Sequence, residues 1–368
     1  MQKLFSRSSC RILSVLIALL LSLPGLASGQ SKPGATSATG AASSGTSQSA
    51  AQNARGDKKI NILYPTSQED WSTPSLKGSD FEQTSSIFGE KSENPGFTRE
   101  LTRVEWRLSD PIDLYIMKPA GVKKPPVVIY LFSYPYLNSQ FRNNDFCRKL
   151  TQNGVAAVGF STAYTDQRFH PPIHLTDWFV GSMDKALSES AHDVQLLLNY
   201  LAARGDFDMD RVGIWGDGSG ATIGILAAAV DPRIKTLDVL DPWGDWPDWM
   251  AKSSIIPEKE RAGLNKPEFL KRAEPLDPVK WLPQLKTDRM RLTEVGDVTI
   301  TPPAAREKIE AAAPHGMQIV RYEDRRAFAA VASGGRGFDW IKEQLKSTRI
   351  DASGAPPRQR RPEEVTNR

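Results

Sequence analysis

Arg211-Val212-Gly213-Ile214-Trp215-Gly216-Asp217-Gly218-Ser219-Gly220-Ala221 runs from an apolar strand through a glycine-dense turn into the first residues of a helix. Val212–Trp215 reads as an apolar strand, and Val127–Phe132 is continuously apolar, as expected of a strand covered on both faces. Gly216, Gly218 and Gly220 suit a chain that must turn sharply and press its backbone against a neighbour, because glycine has no Cβ to collide and tolerates positive φ. Ser219–Val230 reads as a helix rich in Ala, Ile and Leu. The spacing of the three glycines fits a strained strand-to-helix elbow that lifts its central residue out of the sheet. That central residue is Gly218.

Working outward, the sequence predicts strands at Val104–Leu108, Ile112–Lys118, Val127–Phe132 and Ala156–Ser161 before the elbow strand Val212–Trp215. Thr236–Leu240, Arg291–Val295 and Gln318–Tyr322 follow it. Helical spacing covers Asn138–Asn153, Leu187–Arg204, Ser219–Val230, Pro303–Ala313 and Phe338–Leu345. Two strands joined as a hairpin and then alternating strands and helices predict an α/β fold. Its sheet has eight strands, mostly parallel, with helices on both faces. Trp243–Leu285 breaks the rhythm with prolines and the tryptophans Trp243, Trp246, Trp249 and Trp281. It is read as a cap inserted after the sixth strand, over the carboxyl ends of the strands, where ligands bind in open α/β sheets.

The ends of the chain have other compositions. Residues 1–29 form a secretory leader: Lys3, Arg7 and Arg11, then the apolar run Ile12–Leu23, then Ala27-Ser28-Gly29 before Gln30. The run is too short for a stable membrane span, and its cleavage leaves none. Residues 30–58 are rich in Ser, Gly and Ala and are expected to be a disordered linker, as is the tail 349–368. The folded unit is placed at 59–348. Losing the leader lowers the net charge of +4 by three, to +1. A near-neutral body gives no electrostatic reason to bind nucleic acid. Cys147 is then the sole cysteine, so no internal disulfide forms and stability must come from one large core.

The elbow glycines, the Asp208–Arg211 turn before the elbow strand and Asp231-Pro232-Arg233-Ile234, leading to a strand that ends in Asp241-Pro242, identify a resemblance. From about Phe88 to Leu345 the chain resembles the α/β-hydrolase superfamily, most nearly its dienelactone-hydrolase and prolyl-oligopeptidase-type domains. The resemblance implies a nucleophile at the position of Gly218, an acid at Asp297 and a base histidine within Glu323–Gly337. Glycine has no nucleophile, and that last segment holds no histidine; the four histidines are His170, His174, His192 and His315. The expectation is an exported protein that keeps the fold without triad hydrolysis and binds a small-molecule or peptide ligand or a partner. The alternative is an active acyl-ester or peptide hydrolase with a rearranged site. It would use Ser219 or Asp217 with Asp297, and His170 or His174 as a displaced base. Ser219 is more simply a residue at a helix start capping a free N–H.

Candidate ligand contacts are Gly216 and Gly220, Ser133 and Tyr134 after the third strand, and Trp243 and Trp246 in the cap. Gly216-x-Gly218-x-x-Ala221, with Asp238 farther on, also fits a dinucleotide fingerprint, so nucleotide or phosphate binding at the elbow is a minor alternative. Such fingerprints usually follow a domain's first strand. Asp206, Asp208 and Asp210 begin like a calcium loop, but Arg211 stands where glycine is required. No metal or cofactor is expected, and His192 is read as solvent-facing.

Overall fold

Val127, Ile129 and Leu131 enter one hydrophobic core while Val128, Tyr130 and Phe132 enter another, which is why this strand has no polar alternation. The computed structural model describes residues 69–77, 87–107, 110–134, 138–165, 168 and 175–346. Its strands are β1 (Ile87–Asn94), β2 (Phe97–Arg107), β3 (Asp110–Pro119), β4 (Pro126–Leu131) and β5 (Ala156–Phe160). They continue as β6 (Asp208–Asp217), β7 (Ile234–Leu240), β8 (Arg289–Val295) and β9 (Gln318–Tyr322). One sheet holds all nine, in the order β1-β2-β3-β5-β4-β6-β7-β8-β9. From β5 to β9 every pairing is parallel, and β1, β2 and β3 extend the sheet as an antiparallel edge.

Helices cover both faces. On one face α2 (Leu175–Arg204) and α3 (Ser219–Val230) bury Met183, Leu187, Val194, Leu197, Ile223 and Leu226 against the sheet. On the other, α1 (Asn144–Thr151) and α10 (Asp339–Lys346) contribute Phe146, Leu150, Ile341 and Leu345. The insertion after β7 is a string of short helices: α4 (Trp246–Lys252), α5 (Arg261–Leu264), α6 (Pro267–Ala273) and α7 (Pro278–Trp281). Its Leu264, Phe269, Leu276 and Leu282 belong to the same core as α2 and α3. Asp277 closes the insertion on itself, accepting hydrogen bonds from the backbone N–H groups of Asp245, Trp246 and Val279 at 3.0 Å each. Helices α8 (Pro303–Ala312) and α9 (Arg325–Ala332) complete the fold. No described helix is long and apolar enough to cross a membrane.

Several expectations are corrected. The described residues form nine strands rather than eight, because the polar run Ile87–Asn94 pairs along β2. Asn138–Asn153 is not one helix: a 3-10 turn precedes α1, and Asn153 takes a positive φ of 73° where the helix ends. Helix α2 begins at Leu175, well before Leu187, and α9 was not foreseen. His192 is fully buried in the body of α2, not solvent-facing at a helix start. The expected leader (1–29), the linker (30–58), the start of the unit at 59, the tail (349–368), and His170 and His174 lie outside the described residues.

Candidate functional site

Gly218 joins β6 to α3 with φ 53° and ψ −116°, a conformation that only glycine adopts without strain. Its neighbours are glycine for steric reasons. A Cβ on Gly216 would lie 2.7 Å from the Ala221 Cα, and one on Gly220 would overlap the Leu131 carbonyl of β4. The turn therefore lies tight against the carboxyl end of the sheet, and the Gly218 N–H is bound to the Leu240 carbonyl at 2.9 Å.

The space a side chain at 218 would fill is taken. A Cβ there would overlap the hydroxyl of Ser133 and lie 3.1 Å from the Trp243 indole nitrogen. Ser133 is itself buried, and its Oγ accepts the Ser219 N–H at 3.3 Å. Ser219, also buried, turns its own hydroxyl the other way, where Oγ accepts the Tyr134 N–H at 2.9 Å. The serine does cap a free N–H, on the loop after β4 rather than on its own helix. Two backbone donors, one from the helix start and one from that loop, are thus each satisfied by a serine hydroxyl.

Trp243 and Trp246 are both buried. The Trp243 ring packs on Trp249 at 4.7 Å between centroids and meets Tyr164 and Tyr134 edge-on at 6.2 and 6.5 Å. Thr222 of α3 donates to the Trp243 carbonyl at 2.7 Å, tying the elbow helix to the start of the insertion.

Carboxyl groups gather at the ends of β6, β7 and β8. Burial and the nearby Asp241 carboxylate push the Asp217 carboxyl up to about 8, although part of the residue's surface still meets solvent. Burial likewise raises Asp241 to about 7 against the pull of Arg306. Its Oδ1 accepts the Val295 N–H at 3.1 Å, and its backbone sits at a positive φ of 43°. Burial and Glu310 raise Glu294 to about 8. Glu294 was not singled out from sequence, and Asp241 entered there as the end of a strand before proline, with no sign of its burial beside Asp217.

Asp297 follows β8 as expected but is engaged elsewhere. It accepts both the backbone N–H and the Nε–H of Arg325 at 2.9 Å, with 39% of its side chain exposed. Arg325 opens α9, whose first turn is capped by Asp324 accepting the Ala327 N–H at 2.8 Å. Of the described histidines, His315 is exposed in a turn, and His192 binds Glu69 and Thr73; neither is bonded to an elbow residue. Among the described residues no cluster of histidine, cysteine and carboxylates is arranged to hold a metal ion. Asp206 pairs with Arg204 and Lys118, Asp208 with Arg211, and Asp245 and Asp248 with Lys308.

No protein-family model matches the chain, and no curated protein is similar to it in sequence. Solved structures are similar in shape. Acetyl xylan esterase 1 from Thermoanaerobacterium sp. JW/SL YS485 superposes with a TM-score of 0.58 at 16% identity, over 73% of this chain and 90% of that one. An acetyl xylan esterase from Paenibacillus sp. R4 gives 0.52 at 15%, over 64% and 82%. The acylaminoacyl peptidase of Pyrococcus horikoshii gives 0.51 at 13%, over 68% of this chain but only 41% of its own length. The chain has an α/β-hydrolase fold.

Proposed function

We propose that this is an exported α/β-hydrolase-fold protein that binds a small molecule or peptide at the carboxyl edge of its sheet and does not hydrolyse acyl bonds. One observation carries this reading: the Ser219 and Tyr134 N–H groups, which follow the elbow residue and the neighbouring strand as the oxyanion donors of α/β-hydrolases do, are bonded to Ser133 and Ser219 hydroxyls, beside a central glycine. An oxyanion hole stabilises a transition state because its donors are preorganised and free to meet a developing charge. Here each donor already has an acceptor, and a tetrahedral intermediate would first have to displace it. The Asp297–Arg325 pair supports the same reading, since the carboxylate that would orient a base holds a permanently charged guanidinium.

The test is hydrolysis of p-nitrophenyl acetate by the purified mature protein. The expected rate equals that of a heat-killed control; turnover abolished by Ser219→Ala would overturn the reading.

A second reading has one observation in its favour. The Ser133 hydroxyl occupies the space of a nucleophile side chain, so an acyl hydrolase with a transplanted serine would use it. That reading requires turnover lost in Ser133→Ala and retained in Ser219→Ala.

Export is part of the proposal and rests on residues 1–29. N-terminal sequencing of protein recovered outside the cytoplasm should begin at Gln30. Recovery of Met1 in the cytoplasmic fraction would contradict it.

A further inference from the structure

Away from the elbow, buried polar groups concentrate on α2, where Ser188, His192 and Gln195 grip the segment Glu69–Lys77. His192 Nδ1 lies 2.7 Å from Glu69 Oε1 and its Nε2 lies 3.0 Å from the Thr73 carbonyl. Ser188 donates to that carbonyl at 2.6 Å. Gln195 donates to the Pro74 carbonyl at 2.8 Å and accepts the Leu76 N–H at 3.0 Å. Trp71 lies between Lys185 and Arg107, whose cations stand 5.0 and 5.8 Å from its ring centre. Ser188, His192 and Glu69 are the residue types of an acyl-transfer triad, but the hydrogen bonds run the wrong way. Nε2 faces a carbonyl that can only accept, so it carries a proton and cannot take one from Ser188. The cluster is a fastening.

From the fastening a chain of buried ion pairs leads to the elbow. Arg107 holds Glu69, with Nε–H donating to Oε2 at 2.7 Å, and holds Asp193 at 2.5 Å. Arg168 takes the other Asp193 oxygen at 2.7 Å and also binds Asp110 and Glu189. Its Nη1 donates to the Ser161 carbonyl at 2.9 Å, and the Ser161 hydroxyl accepts from Asn138 at 3.2 Å. The side chains of Glu69, Asp193 and Arg168 are at most 4% exposed. Little solvent is available to replace a lost partner, so removing one member leaves the remaining charges imbalanced and draws them onto the partners they keep. The 161–165 turn at the far end carries Tyr164, whose ring meets Trp243, the residue beside Gly218.

We propose that docking of the Glu69–Lys77 strap on α2 sets the 161–165 turn through Arg107, Asp193 and Arg168, and so couples the strap to the Trp243 side of the elbow. The coupling holds whether the elbow binds a ligand or catalyses a reaction. Hydrogen exchange of the mature protein followed by mass spectrometry tests it. Glu69→Gln keeps the shape of the strap but removes its charge. The expected result is exchange faster by roughly tenfold or more in 69–77 and also in 161–165, with β6 and β7 amides unchanged. Faster exchange confined to 69–77 and the adjacent turns of α2 would overturn the coupling. Should Glu69→Gln unfold the whole domain, Gln195→Ala loosens the strap without stranding a buried charge. The same two outcomes then decide: loosening that reaches 161–165 supports the coupling, and loosening that stops at α2 contradicts it.

Discussion

At the scale of single residues, Gly218 and Ser133 form a matched pair, because the hydroxyl of one occupies the side-chain space of the other. Gly218→Ser therefore meets two obstacles, a backbone at φ 53° and an occupied volume. It should lower stability by about 2–4 kcal/mol in urea unfolding and give no esterase activity. Adding Ser133→Gly should recover about 1 kcal/mol or more of that loss, a coupling measurable as a double-mutant cycle. Additive effects would show that the two side chains do not compete for space.

The raised carboxyls make a second residue-scale prediction. Carboxyls of the unfolded chain ionise near pH 4. Asp217 and Asp241 hold their protons in the folded state up to about 8 and about 7. Between these values the unfolded chain has released protons that the folded chain retains, so rising pH favours unfolding. The stabilisation is full below about pH 4 and is lost as pH climbs to about 8. Urea midpoints should fall across that window, and Asp217→Asn should flatten the slope. An unchanged slope in Asp217→Asn would remove Asp217 from the account.

At the scale of elements, the elbow depends on how closely α3 approaches β4. Gly220 has no room for a Cβ against the Leu131 carbonyl, which is backbone and cannot step aside. Gly220→Ala should cost about 2–3 kcal/mol. Gly224, one turn later, would place a Cβ 3.0 Å from a methyl group of Ile214, which can shift. The roughly 1 kcal/mol gained in helix propensity should offset that squeeze and leave Gly224→Ala near neutral. Equal costs at the two sites would mean that packing against the whole sheet, and not the single contact at Leu131, controls the helix.

Sequence reasoning worked best for elements whose physics is local. The apolar runs of β4 and β6, the three elbow glycines and the buried helix α3 are each explained by their own residues. Strand β1 was missed because Ile87–Asn94 is polar and pairs only as an edge, so its conformation comes from β2 and not from its own pattern. Helix α9 is not legible because Arg325–Ala332 is short and its cap at Asp324 is an aspartate that serves a turn equally well. His192 was misplaced because a histidine on a helix carries no sign of the Glu69 and Thr73 partners that bury it from far away in the chain. The hydroxyls that cover the elbow donors were beyond reach for the same reason. Ser133 and Ser219 were each visible, but their pairing depends on how the loop after β4 meets the elbow.

At the scale of the whole molecule, the domain is one sheet between two cores, one of them continuous with the insertion, and the strap at Glu69–Lys77 is fastened to it by buried charge. Deleting residues up to 58 should leave the melting temperature within about 2 °C of the chain beginning at Gln30. A chain beginning at residue 78 should melt at least about 8 °C lower, since it strands Arg107 and His192 without Glu69. Melting of both chains together would show that the strap adds nothing to stability.

In the proposed reading, fold and chemistry separate at a few atoms around Gly218. The most direct measurement of that separation is reaction of the full mature protein with a fluorophosphonate, which captures serines activated by a base, followed by mass-spectrometric mapping. The predicted result is no modified serine under conditions that label an active esterase to completion. A stoichiometric adduct on Ser133 or Ser219 would contradict it.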